Sequence, residues 1–239
     1  MNALKRYGVA RIISKRGYCS RSEAERLVRA GSVTLEGRSV MDPETPATQD
    51  SHISVNGKEV TAQAFRYFVL NKPRGIITTA SDEKGRRTVM DLIRPLNLPH
   101  IAPVGRLDAA SEGLLLLTND TAFADSVLAP ETHREKEYHV QTDKIPTEES
   151  LRKCETGFTV PARVYGKPPE YMQMRSAEIL RANDKTAWLK IILDEGKNRE
   201  IRRMLETLGY EVQRLIRVRI GNITLGDLKP GEIREIPKP

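Results

Sequence analysis

Four consecutive leucines at 114–117, preceded by Glu112-Gly113 and followed by Thr118-Asn119-Asp120, place the strongest limit on how this chain folds. A short apolar block closed at both ends by turn-forming residues predicts a fully buried strand rather than a surface element. Just ahead of it, the run Val104-Gly105-Arg106-Leu107-Asp108 puts one carboxylate in a loop at the mouth of that strand. Arg106 lies close by in sequence and Glu112 belongs to the same connection. Loops held by a rigid scaffold carry a large share of binding and catalytic side chains. Asp is also a common turn residue. The residues alone therefore leave Asp108 between a reactive group and a turn former.

The composition is that of a globular chain: 239 residues, 38% hydrophobic and 30% charged. No apolar stretch approaches the roughly 18 residues that cross a bilayer, so no membrane association is expected. The N-terminal segment lacks the apolar block of a secretory signal, and the expected compartment is the cytoplasm. Cys19 and Cys154 are far apart and match no metal or redox spacing. His52, His100, His133 and His139 are equally scattered, so no metal site is expected. The charge is more telling. A formal net charge of +7 is unevenly placed, with nine Lys and Arg against three Glu in residues 1–38, and seven against three acidic residues in 197–219. Two separate basic clusters point to a polyanionic partner.

Residues 9–16 carry Val9, Ile12 and Ile13 at helical spacing and stop at Gly17. A second helix opens with Ser20 and Glu23 as a capping box, continues with Ala24, Leu27 and Val28 on one face, and closes at Gly31. The two helices share an apolar seam and turn basic residues outward, Arg21 and Arg29 among them, which is a small RNA-binding shape. Strands follow at 33–35 and across 53–60, where Asn56-Gly57 is a hairpin signal. A linker at 61–64 leads to a strand at 65–70 that ends at Asn71-Lys72-Pro73.

Beyond it lie a short extended piece at 76–79, a polar basic loop at 81–87, a helix at 121–128 stopped by Pro130, and a strand at 137–140. The last third predicts a strand at 188–193, a turn at 195–198, a helix at 199–208 stopped by Gly209, a basic strand at 212–220 and a final strand at 233–236. Many strands with few helices, in no regular βαβ order, define an α+β sheet domain behind a small N-terminal module. Once core and turns are subtracted, Asp108, Arg106, Tyr138, Lys72, Arg199, Arg202 and Arg203 remain. They fit no hydrolase triad, no Walker-type loop is present, and a paired-carboxylate mechanism lacks a clear second acid.

Four ordered motifs carry a resemblance: NKPRG at 71–75, GRLD at 105–108 with EGLLLLTND at 112–120, KEYHV at 136–140, and EGKNREIRRM at 195–204. They resemble the family of RNA pseudouridine synthases that modify the RNA of the small and large ribosomal subunits. Residues 1–60 resemble the S4-like RNA-binding domain that usually precedes this catalytic domain, which would then occupy 65–239. The resemblance implies isomerisation of uridine in ribosomal RNA or an assembly intermediate, without metal or organic cofactor, on a mixed, mainly antiparallel sheet. Thr78-Thr79 with Asp82, the run 85–89 and the run 214–219 lean towards the members that act on large-subunit RNA.

By the same resemblance Asp108 matches the catalytic aspartate, acting by addition to the uracil ring or by starting glycosidic cleavage. Tyr138 matches the tyrosine that packs on the target base and assists proton removal from carbon 5. Arg202 matches the basic residue paired with the aspartate and Leu215 the apolar residue lining the base pocket, with Arg203 and Ile216 able to exchange with them. Arg106 and Lys72 join the substrate-binding set, with Arg21 and Arg29 on the RNA-binding module. The competing reading is an RNA-binding protein that has kept the fold without the chemistry. Asp108, Tyr138 and Arg202 occurring together argue for the enzyme. No exposed apolar stripe is evident, so a monomer is expected.

Overall fold

The computed structural model describes residues 5–79, 82, 85–96, 98, 100–162 and 166–239. The two predicted N-terminal helices form at Val9–Lys15 and Arg21–Arg29. Val9, Ile12, Ile13, Ala24 and Val28 meet in one apolar cluster that runs on to Val60. Ser20 caps the second helix by accepting the Glu23 N–H at 3.1 Å. The reciprocal half of the expected capping box is absent from the bonds observed, because the Glu23 carboxylate is engaged by Arg26 Nε at 2.9 Å.

Four strands, Val33–Leu35, Arg38–Val40, Ile53–Val55 and Lys58–Glu59, build a small sheet beside these helices. Asn56 and Gly57 both take positive φ, 50° and 75°, as a two-residue hairpin turn requires. One member of the basic cluster faces inward. Arg16 is buried and donates to the carbonyls of Val60 (2.7 Å), Gln49 (2.8 Å) and Ser51 (2.5 Å).

Nine of the described strands form the second sheet. Its main path runs Ser176–Ala182, Ala187–Leu193, Lys136–Thr142, Val212–Ile220, Glu112–Thr118, Tyr67–Lys72 and Ile233–Ile236. Ile223–Thr224 pairs with Val212–Ile220, and Ala102–Val104 with the leucine strand. The sheet is mixed, because Val212–Ile220 runs parallel to Glu112–Thr118 while the other pairs run antiparallel.

The leucine strand is buried along its whole length. Leu114 and Leu116 pack with Tyr67 and Val69 on one side, Leu115 and Leu117 with Phe68 and Leu70 on the other. Burying four leucine side chains contributes roughly 6 to 12 kcal/mol of transfer free energy before chain entropy is charged against it. A fourth apolar cluster unites Tyr138, Leu189, Ile201, Met204 and Leu215.

The helix Thr121–Leu128 has the predicted bounds, with Asp120 as its cap. The later helix begins at Glu200 rather than Arg199, which takes a left-handed φ of 51° as its N-cap. The strand Ser176–Ala182 and the helix Glu148–Thr156 carried no usable pattern: the first is an edge strand exposed along most of its length, the second a two-turn helix with two buried residues. The loop at 81–87 lies partly outside the described residues. Among those described, no helix is long and apolar enough to cross a membrane.

Candidate active site

Asp108 lies in the loop joining Ala102–Val104 to the leucine strand, and this loop is held through its backbone carbonyls. Thr78 Oγ1 donates to the Leu107 carbonyl at 2.9 Å, and the Gly75 N–H bonds the Ala109 carbonyl at 2.7 Å. Arg202 Nη2 reaches the Ala110 carbonyl at 3.2 Å, Lys72 Nζ the Ser111 carbonyl at 2.8 Å, and the Asp108 carbonyl accepts the Ser111 N–H at 3.0 Å. Every carbonyl from 107 to 111 thus has a donor, supplied largely by other segments. Such a loop has few conformations left, and its side chain is pre-oriented.

The Asp108 carboxylate is 38% exposed and faces a cavity of about 640 Å³, whose wall includes Tyr138, Leu215, Arg199, Arg202, Lys136 and Arg217. Its direct cationic partner is Arg199, with Nη1 3.4 Å from Oδ2. The left-handed backbone of Arg199 aims its guanidinium across the cavity, at a strain of about 1 kcal/mol. Arg202, expected to pair with the aspartate, is buried and spends its guanidinium on the Ala110 and Val212 carbonyls, the latter at 2.8 Å. Burial and the neighbouring Arg199 lower the Arg202 group from its ordinary value, while Asp108 works in the opposite sense. Arg202 therefore fixes the loop and contributes charge, and Arg199 makes the contact.

Tyr138 and Leu215 both line the cavity, as expected, with 8% and 6% exposure. They come from adjacent strands that pair antiparallel, Tyr138 opposite Arg217 and Val140 opposite Leu215. Ile216 is not among the residues lining the cavity and packs instead against the leucine-strand core. Arg106 is exposed at the cavity mouth.

Four expected substrate contacts stand elsewhere. Lys72 is fully buried beneath the Asp108 loop, donating to the Pro73 and Ser111 carbonyls. Burial pushes its ammonium down to about 8, against the pull of Glu112 and Asp108. Arg203 is buried on another face of its helix, where it binds the Glu170 carboxylate and the Pro161 carbonyl. The reason is helical geometry: adjacent residues point about 100° apart, so Arg202 and Arg203 cannot serve one site. Arg21 and Arg29 are exposed on the N-terminal module, and Arg21 is paired with Glu25 at 3.0 Å and Glu44 at 3.1 Å.

Sequence reasoning assigned no site role to Thr78, Lys136, Glu200 or Arg217. Among the described residues Thr78 bonds the Leu107 backbone, which leaves no trace in a spacing pattern. Arg217 lies in a basic strand but is buried, its Nε bonded to the Leu114 carbonyl at 2.8 Å.

Residues 66–207 match the family model for RNA pseudouridylate synthase, and residues 8–51 match that for the S4 domain. Ribosomal large subunit pseudouridine synthase B of Bacillus subtilis (strain 168) is 37% identical over 235 residues, spanning 95% of this chain and 90% of the relative. An uncharacterized RNA pseudouridine synthase of Rickettsia prowazekii (strain Madrid E) is 36% identical over 229 residues, spanning 95% and 93%. A solved structure of a pseudouridylate synthase superposes with a TM-score of 0.62 at 25% identity, covering 97% of this chain and 96% of that one. A buried leucine strand, a pinned aspartate loop and an N-terminal S4 domain thus occur together in a member of the RNA pseudouridylate synthase family.

Proposed function

We propose that this enzyme isomerises a specific uridine of ribosomal RNA, preferentially that of the large subunit, with Asp108 as the catalytic carboxylate. The observation that carries this reading is the Asp108 loop, bonded at every carbonyl and opposed by Arg199 across a cavity lined by Tyr138 and Leu215. The name of the Bacillus subtilis relative supports the preference for large-subunit RNA.

An opposite charge a few ångströms away favours the ionised carboxylate and orients it. Asp108 then attacks the uracil ring or initiates cleavage at the ribose. A base stacked in a helix is out of reach, so the uridine is flipped into the cavity. Tyr138 packs on it and assists removal of the proton from carbon 5, and Leu215 completes the apolar wall. Arg106, exposed at the mouth, fills the gap that the base leaves or holds the adjacent phosphate.

We assign 1–60 to RNA docking and 65–239 to catalysis. The first apolar cluster ends at Val60 and the large sheet starts at Tyr67, which supports this division. The protein is read as a cytoplasmic monomer acting on ribosomal RNA or an assembly intermediate.

The test is incubation with unmodified ribosomal RNA tritiated on carbon 5 of uridine, followed by carbodiimide mapping of the product. Stoichiometric tritium release with one new stop in large-subunit RNA is expected; no release from the RNA of either ribosomal subunit rejects the reading. Replacing Arg21 and Arg29 by Ala is expected to weaken RNA binding and to lower the slope of log K against log salt by about 0.7 to 0.9 for each phosphate no longer neutralised. An unchanged slope would remove this helix from the RNA interface.

A further inference from the structure

The cavity wall carries an acidic pair that the proposed reaction does not use. Glu200 opens the helix Glu200–Thr207, lines the cavity and is 2% exposed. Its Oε2 accepts the Lys197 N–H at 3.1 Å. Its Oε1 is sealed from solvent without a donor in the bonds observed. The group beside it is another carboxyl, that of Glu195, near enough to bond Glu200 once one of the two holds a proton. Two carboxyl groups bond to each other only with a proton between them.

The surrounding charges decide which residue holds that proton. Lys197 Nζ is 2.5 Å from Glu195 Oε1 and also donates to the Tyr171 carbonyl at 3.1 Å. Burial works to raise the Glu195 carboxyl, but its bonds to Lys197 and Glu200 outweigh burial and hold it below the usual range, with His133 adding to them. Glu200 also feels Lys197, through its backbone N–H and its charge, but no cationic side chain bonds it in the bonds observed, and burial with Glu195 outweighs that pull. Lys136, a second cation that senses Glu200, from the strand Lys136–Thr142, is itself discouraged from charging by burial and Arg217, with Asp194 opposing and Arg134 assisting.

We propose that Glu200 is a positioning residue that works as a neutral carboxylic acid, its proton donated to Glu195 so that the turn at 195–199 locks and aims Arg199 at Asp108. This rests on the reaction proposed above. Glu200 follows Arg199 directly, so the lock acts on the one residue whose left-handed backbone directs the guanidinium to the carboxylate. Burial, with Glu195 adding to it, raises the Glu200 carboxyl to about 8. Above that pH the two carboxylates repel inside the turn and Arg199 loses its support.

Carbon-13 titration of the glutamate carboxyl groups tests the proton directly. A Glu200 midpoint near 8 is expected, falling in Glu195→Gln; a wild-type midpoint between about 4 and 5 overturns the proposal. The catalytic test compares Glu200→Gln with wild type by tritium release. The amide keeps the donor at every pH, so the ratio of variant to wild-type kcat is expected to rise about tenfold from pH 7 to pH 9. Lys72, which also titrates near 8, affects both proteins and cancels in that ratio. A flat ratio overturns the positioning role. Absence of tritium release at any pH from wild type would instead overturn the reaction, while the carbon-13 midpoint still decides where the proton is.

Discussion

Asp108→Asn is expected to stop tritium release while leaving RNA affinity within about twofold of wild type. Asn has the same shape but neither adds to the ring nor accepts a proton as a carboxylate does. Losses on removing a single reacting group are about 10⁴-fold or more in kcat. The loop itself should survive the change. Its carbonyls are held by Thr78, Gly75, Arg202 and Lys72, through bonds that do not involve the Asp108 side chain. The ion pair removed is about one-third open to solvent, with Asp108 38% and Arg199 27% exposed, so its removal costs at most about 1 kcal/mol. The check is single-turnover tritium release beside filter binding and a thermal melt. Release at the wild-type rate would refute the assignment, and a collapsed melting temperature would show that Asp108 is structural.

The parts of this site that were legible in the sequence are those written in apolar pattern. Leu114 to Leu117 announce a strand buried on both faces, and the structure sends alternate leucines into two different cores. Position before that strand put Asp108 in a loop at its mouth, and a site role for it, as for Tyr138 and Leu215, came from motifs that match the family. The charged residues were harder to read. Arg16, Lys72, Arg202 and Arg203 look like ligand-binding groups, yet each is buried and bonded to backbone carbonyls. Charge in a sequence does not say whether its partner is a substrate or a peptide group. Arg199 was in view without a role, because a single left-handed residue, invisible to periodicity, redirects it from the helix to Asp108.

Gly113 shows the same limit from the side of the backbone, and Gly113→Ala is expected to cost about 3 to 5 kcal/mol of stability. Gly113 has φ of +98°, and a Cβ there would fall 2.3 Å from the Arg217 carbonyl oxygen and 2.8 Å from the Arg217 nitrogen. Neither atom is the end of a flexible side chain. This is also where the sheet is joined: Gly113 stands between Lys72 on one neighbouring strand and Arg217 on the other, in a parallel register of two residue pairs. The Asp108 loop belongs to one side of that seam, and Tyr138, Leu215, Arg199 and Arg202 to the other. Opening the seam separates the carboxylate from its partners, and a displacement of about 1 Å at a reacting group costs about 10²-fold in rate. Gly57→Ala is the control, since its φ is +75° but nothing lies within 4 Å of the added carbon. That variant should lose only about 1 kcal/mol and keep its rate. Urea unfolding and tritium release, measured on both variants at a temperature where each is folded, separate the two cases. Equal losses in both would mean that backbone strain alone sets the cost, and that the seam at Gly113 has no bearing on how Asp108 meets Arg199.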